Sequence, residues 1–235
     1  MRWLLLIVCL LLIAPACNPD KKTTKTTAPA TSGKTAAAWF QEGISLAQQI
    51  EALGEVEGQA YQIDLLNDQA LYAFNQAISL DPTYESRASG FLGHAYFLKG
   101  DHQAAALWLQ AGVEEDPGNY LLYRELGLSH MNVGQIEPAK KALAQSIGLN
   151  DTENHRQNII QELYKIGQKS FEFGQEYIGR GYPKKGADYQ TYGIVVLQLA
   201  FDLDDSETYI AEQIVSYAEL IGDEEKVKIY QPYLK

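Results

Sequence analysis

Apolar and polar positions recur along the middle of the chain at an interval of 34 residues. Leu92-Gly93 is followed 34 residues later by Leu126-Gly127. The same interval separates Tyr96 from His130, Gly100 from Gly134, Ala105 from Ala139 and Leu109 from Leu143. Within each unit the apolar residues have helical spacing, and the central glycine predicts a turn. The pattern therefore predicts helix pairs, the clearest running roughly from Ser86 to Lys99 and from His102 to Glu115.

This unit resembles the tetratricopeptide repeat, a helix–turn–helix motif of about 34 residues. The resemblance rests on the early Leu-Gly, the aromatic Tyr96, the glycine at the turn, Ala105 and the closing Pro117. It implies an all-α fold, a right-handed superhelical solenoid of about four to five antiparallel hairpins with a concave groove. Because one hairpin cannot bury its apolar faces alone, neighbouring hairpins must stack.

We predict three such hairpins over residues 36–153. The hairpin of Ser86 is followed by one from Tyr120 to Leu149. An earlier hairpin begins near Ala36, and its second helix ends at Asp81-Pro82. About 15 extra residues near 50–66 either lengthen both of its helices or form a loop.

Beyond Asn154 the repeat weakens, so residues 154–235 are predicted to form degenerate hairpins and a C-terminal cap. Pro183 indicates a loop from Gly179 to Gly186, followed by a helix from Tyr192 to Leu203. A last, shortened hairpin is expected from Tyr209 to the end of the chain.

The N-terminus has the pattern of an export signal over residues 1–16. Arg2 precedes an apolar run from Trp3 to Ile13, which is too short to span a bilayer. The segment ending at Cys17 resembles a bacterial lipobox, which implies lipidation of Cys17 and a flexible tether over residues 17–35. Asn18 in place of Asp favours the outer membrane, so the expected location is the bacterial cell envelope, lipid-anchored and facing the periplasm. Ordinary secretion, with cleavage after Ala14-Pro15-Ala16, is the alternative.

The helical part of the chain is strongly acidic. The whole chain has a net charge of −11, and beyond residue 35 there are 14 Lys and Arg against 29 Asp and Glu, or −15. Nucleic-acid binding needs clustered cations, so nucleic acid is not an expected partner. An anionic membrane would repel this body, and membrane attachment is expected to come from the lipid.

The sequence offers no catalytic constellation, so we predict a protein that is not an enzyme and has no cofactor, metal or evident small-molecule substrate. Ser32-Gly33-Lys34-Thr35 resembles the end of a phosphate-binding loop, but Ala28 replaces the required first glycine. The histidines have no ligand spacing, and packing is the simpler role for them; they are His94, His102, His130 and His155.

A protein partner is the predicted ligand, bound as a peptide or helix in the concave groove. In the resembled family such ligands meet the first helix of each hairpin. Carried over by repeat phase, the groove residues are Phe40, Ile44, Arg87, His94, Phe97, Arg124, Leu128 and Met131. Alternatively, several of these belong to a core covered by the C-terminal hairpins. Two rival functions remain: an enzyme or carbohydrate-binding protein with a site in the irregular C-terminal half, and a structural spacer that associates with itself.

Overall fold

A computed structural model describes residues 33–53 and 58–234 of the chain. The predicted signal peptide, Cys17 and most of the predicted tether lie outside these residues. The described residues from Thr35 onward form one compact unit. Within the described ranges, none of the helices combines the length and the apolar character needed to cross a bilayer.

The regular structure of the described residues is entirely helical, without a β-strand, which confirms the all-α prediction. The helices are α1 (Ala36–Leu53), α2 (Ala60–Leu80), α3 (Tyr84–Leu98), α4 (His102–Glu115), α5 (Tyr120–Asn132), α6 (Ile136–Leu149), α7 (Glu153–Gly179), α8 (Pro183–Leu203), α9 (Thr208–Ile221) and α10 (Glu224–Tyr230), followed by a 3-10 turn (Gln231–Tyr233).

Consecutive helices pack as hairpins, and the hairpins stack in chain order. The pairs are α1/α2, α3/α4, α5/α6, α7/α8 and α9/α10. Their first helices also contact one another, α1 with α3, α3 with α5 and α5 with α7. The rings of Phe171 on α7 and Tyr217 on α9 stack 3.7 Å apart, which continues the row. We call this row of α1, α3, α5, α7 and α9 the first-helix layer.

Four of the hairpins have the same kind of helix crossing, in which a glycine of the first helix lies against a large apolar side chain of the second. A Cβ atom added to Gly93 would lie 2.6 Å from Cγ of Leu109. Such contacts are too short for real Cβ atoms, so each glycine permits a close approach that alanine would hinder. The equivalent pairs are Gly43 with Phe74, Gly127 with Leu143 and Gly167 with Leu197. The repeat phase therefore extends from α1 to α8, beyond the segment where the sequence shows it clearly.

The turns between paired helices use glycine in a left-handed conformation. Gly100 has φ +72° and Gly134 has φ +80°, values that side chains with a Cβ disfavour. The backbone N–H of Asp101 then donates to the carbonyl of Tyr96, which closes the end of α3. The Asp101 side chain in turn accepts a hydrogen bond from the backbone N–H of Ala104 at 3.1 Å and caps α4.

The hairpin α7/α8 is longer than its neighbours by two helical turns in each helix. From the crossing glycine to the turn glycine there are 7 residues in α3 (Gly93 to Gly100) but 14 in α7 (Gly167 to Gly181). From the turn glycine to the apolar residue that packs on the crossing glycine there are 9 residues in α4 (Gly100 to Leu109) and 16 in α8 (Gly181 to Leu197). Seven extra residues per helix add about 10 Å at the tip.

The predicted loop from Gly179 to Gly186 is therefore wrong. Only residues 180–182 connect the two helices, and Pro183 begins α8. Proline fits the first turn of a helix, where its missing N–H would have no partner. Of the extra residues near 50–66, residues 50–53 belong to α1 and residues 60–66 belong to α2, so most of them lengthen these helices.

Glycines bring α7 and α8 into backbone contact. A Cβ on Gly186 would lie 2.5 Å from the carbonyl oxygen of Gly174, and one on Gly193 would lie 2.6 Å from that of Gly167. In each helix the two glycines are seven residues apart, so they fall on one face. This spacing is a sequence signal for close packing that our sequence analysis did not recognise.

Candidate partner-binding surface

Three of the eight predicted groove residues are core side chains. Phe40 is 3% exposed, Leu128 2% and Met131 0%. The ring of Phe40 packs on Phe74 and Tyr84. The core cluster that contains Leu128 and Met131 includes Ile159, Ile160 and Leu163 of α7. These three residues cannot contact a partner in this arrangement, because neighbouring helices of the same chain cover them.

The other five residues retain surface on the first-helix layer. Arg87 is exposed, and the remaining four are half-buried: Ile44, His94, Phe97 and Arg124. The guanidinium carbon of Arg87 lies 4.8 Å from the ring centre of Phe40 and 5.0 Å from that of Tyr84. The rings of Phe40 and Tyr84 therefore position the guanidinium of Arg87 by cation–π contact.

A buried carboxylate links His94 to Arg124. Nδ1 of His94 and Oε1 of Glu125 are 2.8 Å apart, and a guanidinium nitrogen of Arg124 lies 3.7 Å from the same oxygen. Glu125 is only 4% exposed, and its Oε2 has no hydrogen-bond partner among the described residues. Burial opposes the charged imidazolium, but the hydrogen bond and the charge of Glu125 outweigh it, so the pKa of His94 is raised.

Sequence reasoning missed Glu125. An isolated glutamate on a helix is usually exposed, and its phase in the repeat did not mark it as functional. The available signal was its place beside the apolar stretch from Leu126 to Leu128, next to the predicted Arg124. Because a buried carboxylate needs compensation, Glu125 fixes the positions of the two cations above it.

His155 and His130 have structural surroundings. His155 is buried, and its Nε2 lies 2.9 Å from Oγ of Ser146. Since that hydroxyl donates to the carbonyl of Tyr120, the imidazole is the donor to Ser146. Nδ1 of His130 lies 2.7 Å from Oε1 of Gln135. Within residues 33–53 and 58–234, no three His, Cys, Asp or Glu side chains converge as a metal site would require.

The hairpin that matches the repeat most clearly is α3/α4, with its continuation to Asn119. Residues 86–119 match the tetratricopeptide repeat family. This confirms the resemblance over that stretch, and the common crossing of α1 to α8 gives the same helical-repeat fold to the neighbouring hairpins. A tetratricopeptide repeat is generally a protein-binding element and not a catalytic one.

Solved structures similar to the chain include two crystal structures of the protein MamA. The first has 18% sequence identity and a TM-score of 0.46, and the match covers 84% of this chain and 91% of that one. The second has 19% identity and a TM-score of 0.43, with coverage of 76% and 92%. No curated protein sequence matches the chain significantly.

Proposed function

We propose that the protein is a non-catalytic scaffold that binds a peptide or a helical segment of a partner protein on its first-helix layer. We further propose that it is a bacterial lipoprotein, anchored through Cys17 and located at the outer membrane on the periplasmic side. The tetratricopeptide match supports the scaffold role, and the lipobox-like segment of the sequence supports the anchor.

The observation that carries the scaffold proposal is a pair of arginines held in place on a layer that also has partly exposed apolar side chains. Arg87 rests on two aromatic rings, and Arg124 faces the buried Glu125. Ile44 and Phe97 supply partly exposed apolar surface on the same layer. A side chain that is already positioned loses less entropy on binding, so this arrangement favours an amphipathic segment oriented by the arginines.

Site-specific photocrosslinking tests which layer binds the partner. A benzophenone amino acid at Arg87 reports on the first-helix layer. The matched control is Leu107, which lies on the second helix of the same hairpin and is 72% exposed. We expect crosslinks to a protein partner in native membranes from position 87 and not from position 107. Crosslinks from 107 alone, or equally from both, would contradict the proposed face.

Membrane fractionation tests the anchor. We expect Cys17→Ser to move the protein from the membrane to the soluble fraction, because the acyl acceptor is lost. Cys9→Ser is the control, since Cys9 lies inside the proposed signal peptide. If the Cys17→Ser protein stays with the membrane, lipidation at Cys17 is not the anchor.

A further inference from the structure

The lengthened hairpin α7/α8 encloses a cleft with the turns of the two preceding hairpins. One wall consists of the turn residues Gly100 and Gly134 with His102 and Val133 beside them. The other wall consists of side chains from α7 and α8, namely Ile166, Lys169, Ser170, Phe173, Lys185, Asp188, Tyr189 and Tyr192. The cleft has a volume of about 800 Å³. We call it the tip cleft; Lys185 comes from the extra turns of α8.

The tip cleft is cationic although the protein as a whole is acidic. Lys169 of α7 and Lys185 of α8 line it, and Asp188 is the acidic residue among its described lining residues. The lysines that pair with a described carboxylate are others, namely Lys99, Lys140, Lys165 and Lys226. The helical part of the chain carries −15, whereas the described lining of the tip cleft has two lysines against one aspartate, so the cleft favours a negative ligand.

His102 adds an unsatisfied polar group to the opposite wall. Its Nδ1 is buried without a hydrogen-bond partner in the described part of the chain. Burial, and then the charge of Lys169, lower the pKa of His102, so Lys169 acts on it electrostatically across the cleft. Buried polar atoms are normally paired, so this one is an exception within the described part of the chain.

Aromatic rings give the tip cleft an apolar side as well. Phe173 is 42% exposed and lies 5.8 Å from Nζ of Lys169. The rings of Tyr189 and Tyr177 stack at 5.3 Å, and Lys185 lies 4.2 Å above Tyr177. Exposed aromatic rings beside cations are typical of the energetic centres of protein interfaces.

We propose that the tip cleft binds an acidic segment of a partner protein, whose carboxylates face Lys169 and Lys185 while an apolar side chain enters beside Phe173. The N-terminal segment of this chain does not fit, because residues 18–35 carry four lysines and one aspartate. A membrane does not fit either, since the flat surface of a bilayer cannot enter a cleft that has walls on two sides. This inference goes beyond the scaffold proposal, because the tip cleft uses none of the five groove residues on the surface.

Fluorescence anisotropy with designed peptides tests the proposal. The probe is a labelled dodecapeptide of alternating Glu and Phe, and its counterpart has Gln in place of Glu. We expect the purified protein to bind the Glu peptide at least about tenfold more tightly than the Gln peptide. Its affinity for the Glu peptide should fall as the salt concentration increases. Equal binding of both peptides, or no binding of the Glu peptide, would overturn the proposal.

Charge-matched variants locate the binding site. Lys169→Glu with Lys185→Glu should weaken binding of the Glu peptide about tenfold or more, since two attractions become repulsions. Lys141→Glu with Lys228→Glu makes the same change in net charge at exposed positions outside the tip cleft and should have little effect. Equal losses in both variants would show that net charge alone is responsible and would refute the site.

Two further measurements separate this site from other surfaces. Leu107→Ala changes an exposed side chain of α4 that lies outside both the first-helix layer and the tip cleft, and it should leave peptide affinity unchanged. Vesicles of phosphatidylglycerol should not bind the purified protein through Lys169 and Lys185. If they do, and the Glu peptide does not compete, the ligand is a membrane surface and the peptide proposal is wrong.

Discussion

Gly193→Ala should destabilise the protein, although alanine is a better helix former than glycine. The new Cβ would lie 2.6 Å from the carbonyl oxygen of Gly167 and 2.9 Å from the backbone nitrogen of Phe171. Both are backbone atoms inside α7, so neither can rotate away, and α8 must shift outward. Overpacking of this kind costs about 1–3 kcal/mol.

The gain in helix propensity opposes this cost without cancelling it. Replacing glycine by alanine inside a helix contributes about 0.5–1 kcal/mol. At the midpoints of these two ranges the expected net loss for Gly193→Ala is about 1 kcal/mol in the free energy of unfolding. For a chain of this size that corresponds to a melting temperature lower by about 2–4 °C.

Gly148→Ala is the matched control, because it makes the same substitution in a helix with open space around it. No atom lies within 4 Å of the Cβ that it would add in α6. We expect Gly148→Ala to leave stability unchanged or to raise it by about 0.5 kcal/mol. Urea unfolding followed by circular dichroism at the helix band measures both variants. If Gly193→Ala is as stable as the parent, α7 and α8 do not approach as closely as the structure shows.

Two further predictions concern side chains that position the helices. Burial lowers the pKa of His155 below 6.5, so the free energy of unfolding should fall as the pH drops below about 6.5, where the unfolded chain binds a proton that the folded chain resists. Relative to the parent, His155→Gln should show a weaker loss between pH 7.5 and pH 5 in urea titrations, and an unchanged slope would mean that His155 does not contribute. Asp101→Ala should remove the cap on Ala104 and cost about 1 kcal/mol. Asp101→Asn, which preserves the acceptor, should retain most of that stability, and if it loses as much as alanine, capping is not the role of Asp101.

Local sequence signals predicted the helices and the turns well where one repeat follows another. The predicted second helix from His102 to Glu115 coincides with α4. Gly100 and Gly134 form the predicted turns, because a left-handed residue is needed wherever a helix ends and the chain reverses. The loop predicted from Gly179 to Gly186 is wrong, because Pro183 begins α8 and a proline at the first turn of a helix marks a start as well as a break.

The position of a residue in the repeat does not tell whether its side chain is buried. It tells only in which direction the side chain leaves the helix axis, so it indicated both Leu128 and Arg124 as groove residues. Whether that side chain is covered depends on the next hairpin. Ile159, Ile160 and Leu163 of α7 belong to the core around Leu128, whereas Arg124 keeps some surface beside Glu125.

Residue order accounts for the local part of this protein: helices from apolar periodicity, turns from glycine, and a strongly acidic helical part from its residue counts. Packing between distant helices determines which first-helix residues stay on the surface and where the tip cleft opens. The two differ in the range of the interactions involved. Helix and turn formation depend on neighbours within a few residues, whereas the tip cleft brings His102 together with Lys169 and Lys185, which are more than 60 residues away in the chain.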